Sequence, residues 1–296
     1  MKNPIVAKWS ERIEHALKEY FSKKDPSCEP LDRAMAYSVL AGGKRIRPLL
    51  TFMVYKSINE KNNPTDIIEM TLAIELLHTY SLIHDDLPSM DDDDLRRGKP
   101  TNHMVFGEAI AILAGDALHS EAFEILIKTG PKQITAEKRI CILGEFCDAI
   151  GHRGMVAGQV MDLGAEDQEI DIDHLQLLHR RKTGALIRFS ARLGAHLADA
   201  TESQFSAITA YSEELGLLFQ VVDDLLDREA SVEELGKTPG KDMEQGKSTF
   251  PKLIGMEESR CLADQLYQKA ILHIQNSNLN THLLEELALF VRERAY

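Results

Sequence analysis

Residues 67–103 read IIEMTLAIELLHTYSLIHDDLPSMDDDDLRRGKPTNH, and this stretch decides the fold. Its first half carries Ile67, Ile68, Met70, Leu72, Ile74, Leu76, Leu77, Leu82 and Ile83, apolar on almost every face of a helix. A helix of that kind is central and buried. Its C-terminal end runs into six aspartates between Asp85 and Asp94, followed by Arg96 and Arg97. The helix dipole disfavours anions at that end, so compensating cations are expected there. A thinner acidic cluster, FQVVDDLLD at 219–227, also grows out of an apolar segment. Two such clusters, more than a hundred residues apart, suggest one metal site built from two helices. The adjacent arginines suggest phosphate as the metal's other partner.

Outward from this stretch the chain reads as helix nearly throughout. Ile5, Trp9, Ile13, Leu17 and Phe21 form an amphipathic stripe over 4–22. A second helix runs from about Leu31 to Ala41 and stops at Gly42-Gly43, and a third begins near Pro48, which suits a first turn. Residues 107–128 form an apolar helix rich in Gly and Ala. Further helices are expected at about 135–164, 173–198, 202–228 and twice within 259–296. Residues 229–249, polar and dotted with glycine, are long for a connection, and such loops are often lids. With no obvious linker between halves, residues 1–296 read as a single all-α domain.

The bulk composition narrows the function. The net charge of −13 argues against a nucleic-acid partner, which needs a basic footprint. It also means that a phosphate ligand must be held by a local basic patch or by bound cations. Cys28, Cys141, Cys147 and Cys261 include no C-x-x-C pair and read as reduced, buried or inert thiols of a cytoplasmic protein. No stretch approaches the ~18 apolar residues of a membrane span.

In the first cluster, His78 and Asp85 are seven apart and share a helix face. Asp85 and Asp91, six apart, would diverge on a continuous helix. Pro88 breaks the ladder, so a bulge at LPSM is expected to return Asp91 beside Asp85. Such hard oxygen ligands suit Mg²⁺ shared with substrate phosphate. An isolated DDDD run would more often be a solvated turn. The buried helix before it, the RRG after it and the second cluster turn the balance. There, Gln220, Asp223 and Asp227 lie on one face.

Basic residues follow the same logic. GGKRIRP supplies Lys44, Arg45 and Arg47 just before a helix start, and Arg96 and Arg97 offer two guanidinium forks. Lys182 and Thr183 lie in KTG, and Lys237, Lys241 and Lys247 fall in the lid-like loop. Gln159 and Asp162 of GQVMD are either polar groups on a cavity wall or a helix-packing pair.

GGKRIRP, HTYSLIHDDLPSMDDDDLRRGKPTNH, GQVMDL, KTG, FQVVDDLLD and GKTPGKD, in that order over residues 42–242, resemble the trans-isoprenyl diphosphate synthases, and within them the bacterial farnesyl diphosphate synthases. The resemblance implies an antiparallel helical bundle around a deep apolar cavity, usually a homodimer. Its two aspartate motifs face each other across the cavity mouth, where three Mg²⁺ ions bridge them to an allylic diphosphate. It implies Asp85, Asp91 and Asp223 as metal ligands. Arg96, Lys182, Thr183, Gln220 and Lys237 fall on the allylic-diphosphate side, and Lys44, Arg47, His78 and Arg97 on the isopentenyl-diphosphate side. Lys182, Thr183 and Gln220 would act in catalysis.

By the same resemblance, bulk about five residues before the first aspartate closes the pocket in which the product grows. Tyr80 stands there, and with the widened DDLPSMD spacing it matches enzymes that stop at fifteen carbons. On a helical wheel Ser81 lies more directly below Asp85, so both are expected to line the floor. The implied reaction condenses geranyl or dimethylallyl diphosphate with isopentenyl diphosphate to give (2E,6E)-farnesyl diphosphate. A geranylgeranyl diphosphate synthase is the alternative enzyme. A terpene cyclase would not be expected to carry both GGKRIRP and the second acidic motif. A non-catalytic partner subunit typically loses one aspartate motif, and this chain keeps both.

Overall fold

The apolar run at 67–83 does become a buried helix. The computed structural model describes residues 4–23, 28–61, 63–166, 168–229 and 247–294. Most of the loop read as a lid, with Lys237 and Lys241, lies outside them. The fold is all-α. By its contacts the chain separates into two compact units, one of Lys2–Leu49 and Thr65–Ile134, the other chiefly of Leu50–Pro64 and Thr135–Tyr296.

The first unit holds α1 (Pro4–Ser22), α2 (Glu29–Val39), the start of α3 (Ile46–Ile58), α4 (Ile68–Asp85), α5 (Asn102–Phe106) and α6 (Glu108–Lys128). Trp9, Ile13 and Leu17 of the α1 stripe are buried. Ten residues of α4 are buried, including Thr71, Glu75 and Thr79, so even its polar positions face protein. α4 packs along α6, where Ala111, Ala114, Gly115 and Ala122 are buried. Between α4 and α5 a hairpin of two-residue strands, β1 (Leu95–Arg96) and β2 (Lys99–Pro100), pairs Arg96 with Lys99.

The second unit holds the rest of α3, then α7 (Ala136–Ile150), α8 (Met155–Gly164), α9 (Ile172–His179), α10 (Ala185–Leu197), α11 (Glu202–Glu229), α12 (Phe250–Ile254), α13 (Met256–Gln275) and α14 (His282–Glu293). The Thr135 and Asp171 side chains cap α7 and α9 by accepting from the Lys138 and His174 amides. The 28-residue α11 packs against α10 and α13. Its Tyr211 is fully buried and donates to the Leu284 carbonyl at 2.7 Å. Arg192 of α10 grips Glu145 of α7 through both oxygens, at 2.7 and 2.6 Å.

Three expectations are corrected. The helix expected over 135–164 breaks between Ile150 and Met155. The helix expected over 173–198 is interrupted by a π turn, Arg180–Gly184, which contains KTG. The four cysteines are exposed rather than buried, and none forms a disulfide.

Candidate active site

The first acidic motif lies where α4 ends. The Asp86 amide still donates to Leu82 at 3.0 Å, but the Leu87 amide turns to His84, three residues back, at 3.3 Å. Pro88 has no amide to continue the ladder. The chain then reverses. Met90 and Asp92 both donate to the Leu87 carbonyl, Asp91 donates to Asp85 at 2.9 Å, and Asp93 donates to Asp86 at 3.2 Å. The backbone of Asp91 is thus returned to Asp85, as the proline argument expects. Asp92, at φ 50°, points outward and is exposed.

The cation expected at this helix end is Arg96. Its Nε donates to Asp86 Oδ1 at 2.5 Å and its Nη2 reaches Asp93 Oδ2 at 3.3 Å. Burial pushes the Asp86 carboxyl up to about 7, against the opposing pull of Arg96. Arg97 and Gly98 both have positive φ, 53° and 72°, as a tight hairpin turn requires. Arg97 is exposed at this turn.

The GGKRIRP loop divides by direction. Lys44 is exposed and Arg47 half-buried, whereas Arg45 turns inward with none of its side chain exposed. Its Nε meets Glu14 at 2.6 Å, Nη1 meets Glu75 at 2.5 Å, and Nη2 meets the Val39 carbonyl at 2.7 Å. Arg45 takes φ 49°, and this left-handed backbone lets Lys44 and Arg45 diverge. Arg97 donates to the Gly42 carbonyl. Gly43, at φ 139°, lies so close to Arg97 that a Cβ there would come within 2.9 Å of the guanidinium carbon. Burial, and then the charges of Arg47, Arg97, Arg96 and Arg45, hold the His78 pKa well below its usual value. His78 thus lies near four arginines, of which Arg45 and Arg96 are already paired with carboxylates.

Tyr80 lies against α6. Its ring meets the His84 and His119 rings edge-on, at 4.8 and 5.2 Å between centroids, which directs it toward α6. Ser81 donates back to the His78 carbonyl at 2.8 Å.

In the second unit KTG sits on the π turn, a break in helical register that often marks functional sites. Gly158 of α8 permits the packing, since a Cβ there would lie 2.2 Å from the Lys182 backbone nitrogen. Asp162, one helical turn on, accepts from Lys182 Nζ at 2.5 Å. Thr183 Oγ1 donates to Gln220 Oε1 at 3.2 Å, which joins the π turn to the second acidic motif. Asp223 Oδ1 accepts from Arg294 Nη2 at 2.9 Å. The Arg294 guanidinium also lies 3.8 Å over the Phe219 ring. Lys237 lies outside the described residues.

Carboxylates are the donors that Mg²⁺ takes, usually one or two per ion, with water and substrate phosphate completing the shell. Asp85 and Asp91, joined through their backbones, fit that habit. Among the described residues no three His, Cys, Asp or Glu side chains are preassembled as a metal site. Sequence reasoning missed the roles of Asp86 and Arg45 as internal partners, and those of Asp224 and Arg294. Asp86 and Asp224 were legible in part, since each directly follows a named aspartate and must face about 100° away on a helix. Arg294 carried no signal.

An all-helical chain with two acidic motifs and arginines gathered beside the first defines a class, and its family is established by comparison. Residues 28–285 match the polyprenyl synthetase family, and the chain belongs to it. It is 42% identical to the farnesyl diphosphate synthase of Bacillus subtilis over 297 residues, 99% of each chain. It is 47% identical over 250 residues to a putative chloroplastic geranylgeranyl pyrophosphate synthase 8 of Arabidopsis thaliana, covering 83% of this chain and 69% of that one. Among solved structures it is similar to a Helicobacter pylori geranyltransferase complexed with magnesium and isoprenyl diphosphate, with TM-score 0.87, 30% identity and 99% of each chain covered.

Proposed function

We propose that this chain is a Mg²⁺-dependent prenyltransferase that joins geranyl or dimethylallyl diphosphate to isopentenyl diphosphate and releases (2E,6E)-farnesyl diphosphate and diphosphate. The observation that carries the reading is the return of Asp91 to Asp85 at the end of a buried helix, just before Arg96 and Arg97. Full-length similarity to the Bacillus enzyme supports the fifteen-carbon product. The plant synthases, more identical over a shorter span, keep the twenty-carbon product as the second reading.

In this reading Asp85, Asp91 and Asp223 would hold three Mg²⁺ ions at the allylic diphosphate, which would supply charge withdrawal from the leaving group. Arg96, Lys182 and Lys237 bind the same diphosphate, and Lys44, Arg47, His78 and Arg97 bind that of isopentenyl diphosphate. The allylic C–O bond breaks and its electron pair leaves with the diphosphate. The Thr183 and Gln220 oxygens turn the negative ends of their dipoles to the cation, with no committed nucleophile. The double bond of isopentenyl diphosphate attacks the allylic carbon, and the departing diphosphate takes the proton that is then lost. Tyr80 and Ser81 limit the chain length.

We take the protein to be a cytoplasmic homodimer of one synthetase domain. Exposed Ile112 and Leu113 on α6 support a self-association face. Unpaired cysteines support a reducing compartment. Among the described residues no helix is long and apolar enough to cross a membrane. Incubation with the two diphosphates, with and without Mg²⁺, followed by sizing of the product, tests the reading.

A further inference from the structure

The second acidic motif contains a carboxylate that the metal reading leaves without a task. Asp224 is 6% exposed and, though next to Asp223, faces away from it. Its Oδ1 accepts from Gln220 Nε2 at 2.9 Å, and its Oδ2 accepts from the Phe250 backbone amide at 3.0 Å. Gln220 in turn accepts on Oε1 from Thr183 Oγ1 at 3.2 Å. The His179 ring lies against Phe250 at 5.5 Å, with Nε2 4.0 Å from Asp224 Oδ2, beyond hydrogen-bond reach.

A carboxylate oxygen accepts hydrogen bonds. Here both oxygens of Asp224 meet donors. The Gln220 amide, whose oxygen and nitrogen ends are nearly the same shape, is therefore left one orientation, with NH₂ toward Asp224 and carbonyl toward Thr183. We propose that Asp224 is a positioning residue for prenyl transfer. It fixes the Gln220 carbonyl so that, with the Thr183 oxygen, a negative dipole faces the forming cation. By holding the Phe250 amide it also ties this orientation to the start of α12. The inference rests on the roles given above to Gln220 and Thr183.

The substitution Asp224→Asn makes the idea sharp. The Phe250 amide is fixed at the start of α12 and requires the remaining oxygen, so the new NH₂ group faces Gln220. Gln220 must then turn its carbonyl to Asp224→Asn and its NH₂ toward Thr183, which reverses the dipole. The test is a cycle of wild type, D224N, Q220A and the double variant, with kcat and both KM values measured.

In the wild-type background D224N should lower kcat by about 10²-fold, with KM changed less than about threefold. In the Q220A background the same substitution should change kcat by less than about threefold, because no amide is left to misorient. An equal loss in both backgrounds, an unchanged kcat, or an effect confined to KM overturns the proposal. If D224N does not fold, D224E takes its place in the cycle. It keeps both acceptors but displaces Gln220, and its loss should likewise vanish with Q220A. Absence of any Mg²⁺-dependent product from the wild type would instead overturn the reading of the site.

Discussion

The Asp91 amide donates to the Asp85 carbonyl at 2.9 Å, and this bond closes the loop that brings the two aspartates together. Asp91 is 8% exposed, while Asp92, one residue on, faces outward. D91N should therefore cost at least ~10²-fold in kcat, the scale of several kcal/mol of lost charge stabilisation. It should also weaken Mg²⁺-dependent binding of a diphosphate measured by calorimetry. D92N should leave both within about threefold, as expected of an exposed group. Equal losses from the two variants would contradict the proposal that Asp91 is a metal ligand.

Arg45 is the most enclosed cation of the GGKRIRP loop, and its two glutamate partners come from α1 and α4. R45M would leave the buried Glu75 without its partner, at a cost of about 3–5 kcal/mol. A fall of roughly 10 °C in Tm is expected, together with a raised KM for isopentenyl diphosphate. A Tm unchanged in R45M would mean that the network does not hold the loop.

Tyr80 is held edge-on by His84 and His119. Y80A removes the aromatic bulk, and the product should then extend to twenty carbons, as read by chromatography of the dephosphorylated alcohols. Y80F keeps the ring and should keep the product. A fifteen-carbon product from Y80A would place the stop elsewhere, with Ser81 the next residue to test.

His179 is buried, and burial, with Lys182 adding to it, holds its pKa down at about 4 against the partial opposing effect of Asp162. The unfolded chain takes a proton on this residue near pH 6.5, but the folded chain resists it until about 4. The unfolded state thus binds more protons in this window, and stability falls as pH drops from about 6.5 toward 4. Chemical denaturation across that range should show the slope, and H179N should flatten it. An identical slope in H179N would assign it to other groups.

Much of this was legible in the residues. The all-round apolar pattern of 67–83 marked α4 as central, and Pro88 explained how aspartates six apart could meet. The π turn was not legible, because Arg180–Gly184 has ordinary helical composition and the register shift comes from tertiary packing, with Gly158 of α8 against Lys182. Arg45 was ambiguous for a related reason. Lys44, Arg45 and Arg47 look alike in a basic loop, and only Glu14 and Glu75, distant in sequence, separate the structural arginine from its neighbours. Arg294 is seventy-one residues from Asp223, and no local pattern joins them.

The central claim is that the two aspartate motifs serve a metal-dependent condensation that stops at fifteen carbons. Purified protein incubated with geranyl and isopentenyl diphosphates, with Mg²⁺ or with a chelator, tests it most directly. The account predicts farnesyl diphosphate and diphosphate in equal amounts with Mg²⁺, and neither with the chelator. A condensation that persists in the chelator, or no diphosphate longer than the starter in Mg²⁺, would contradict it.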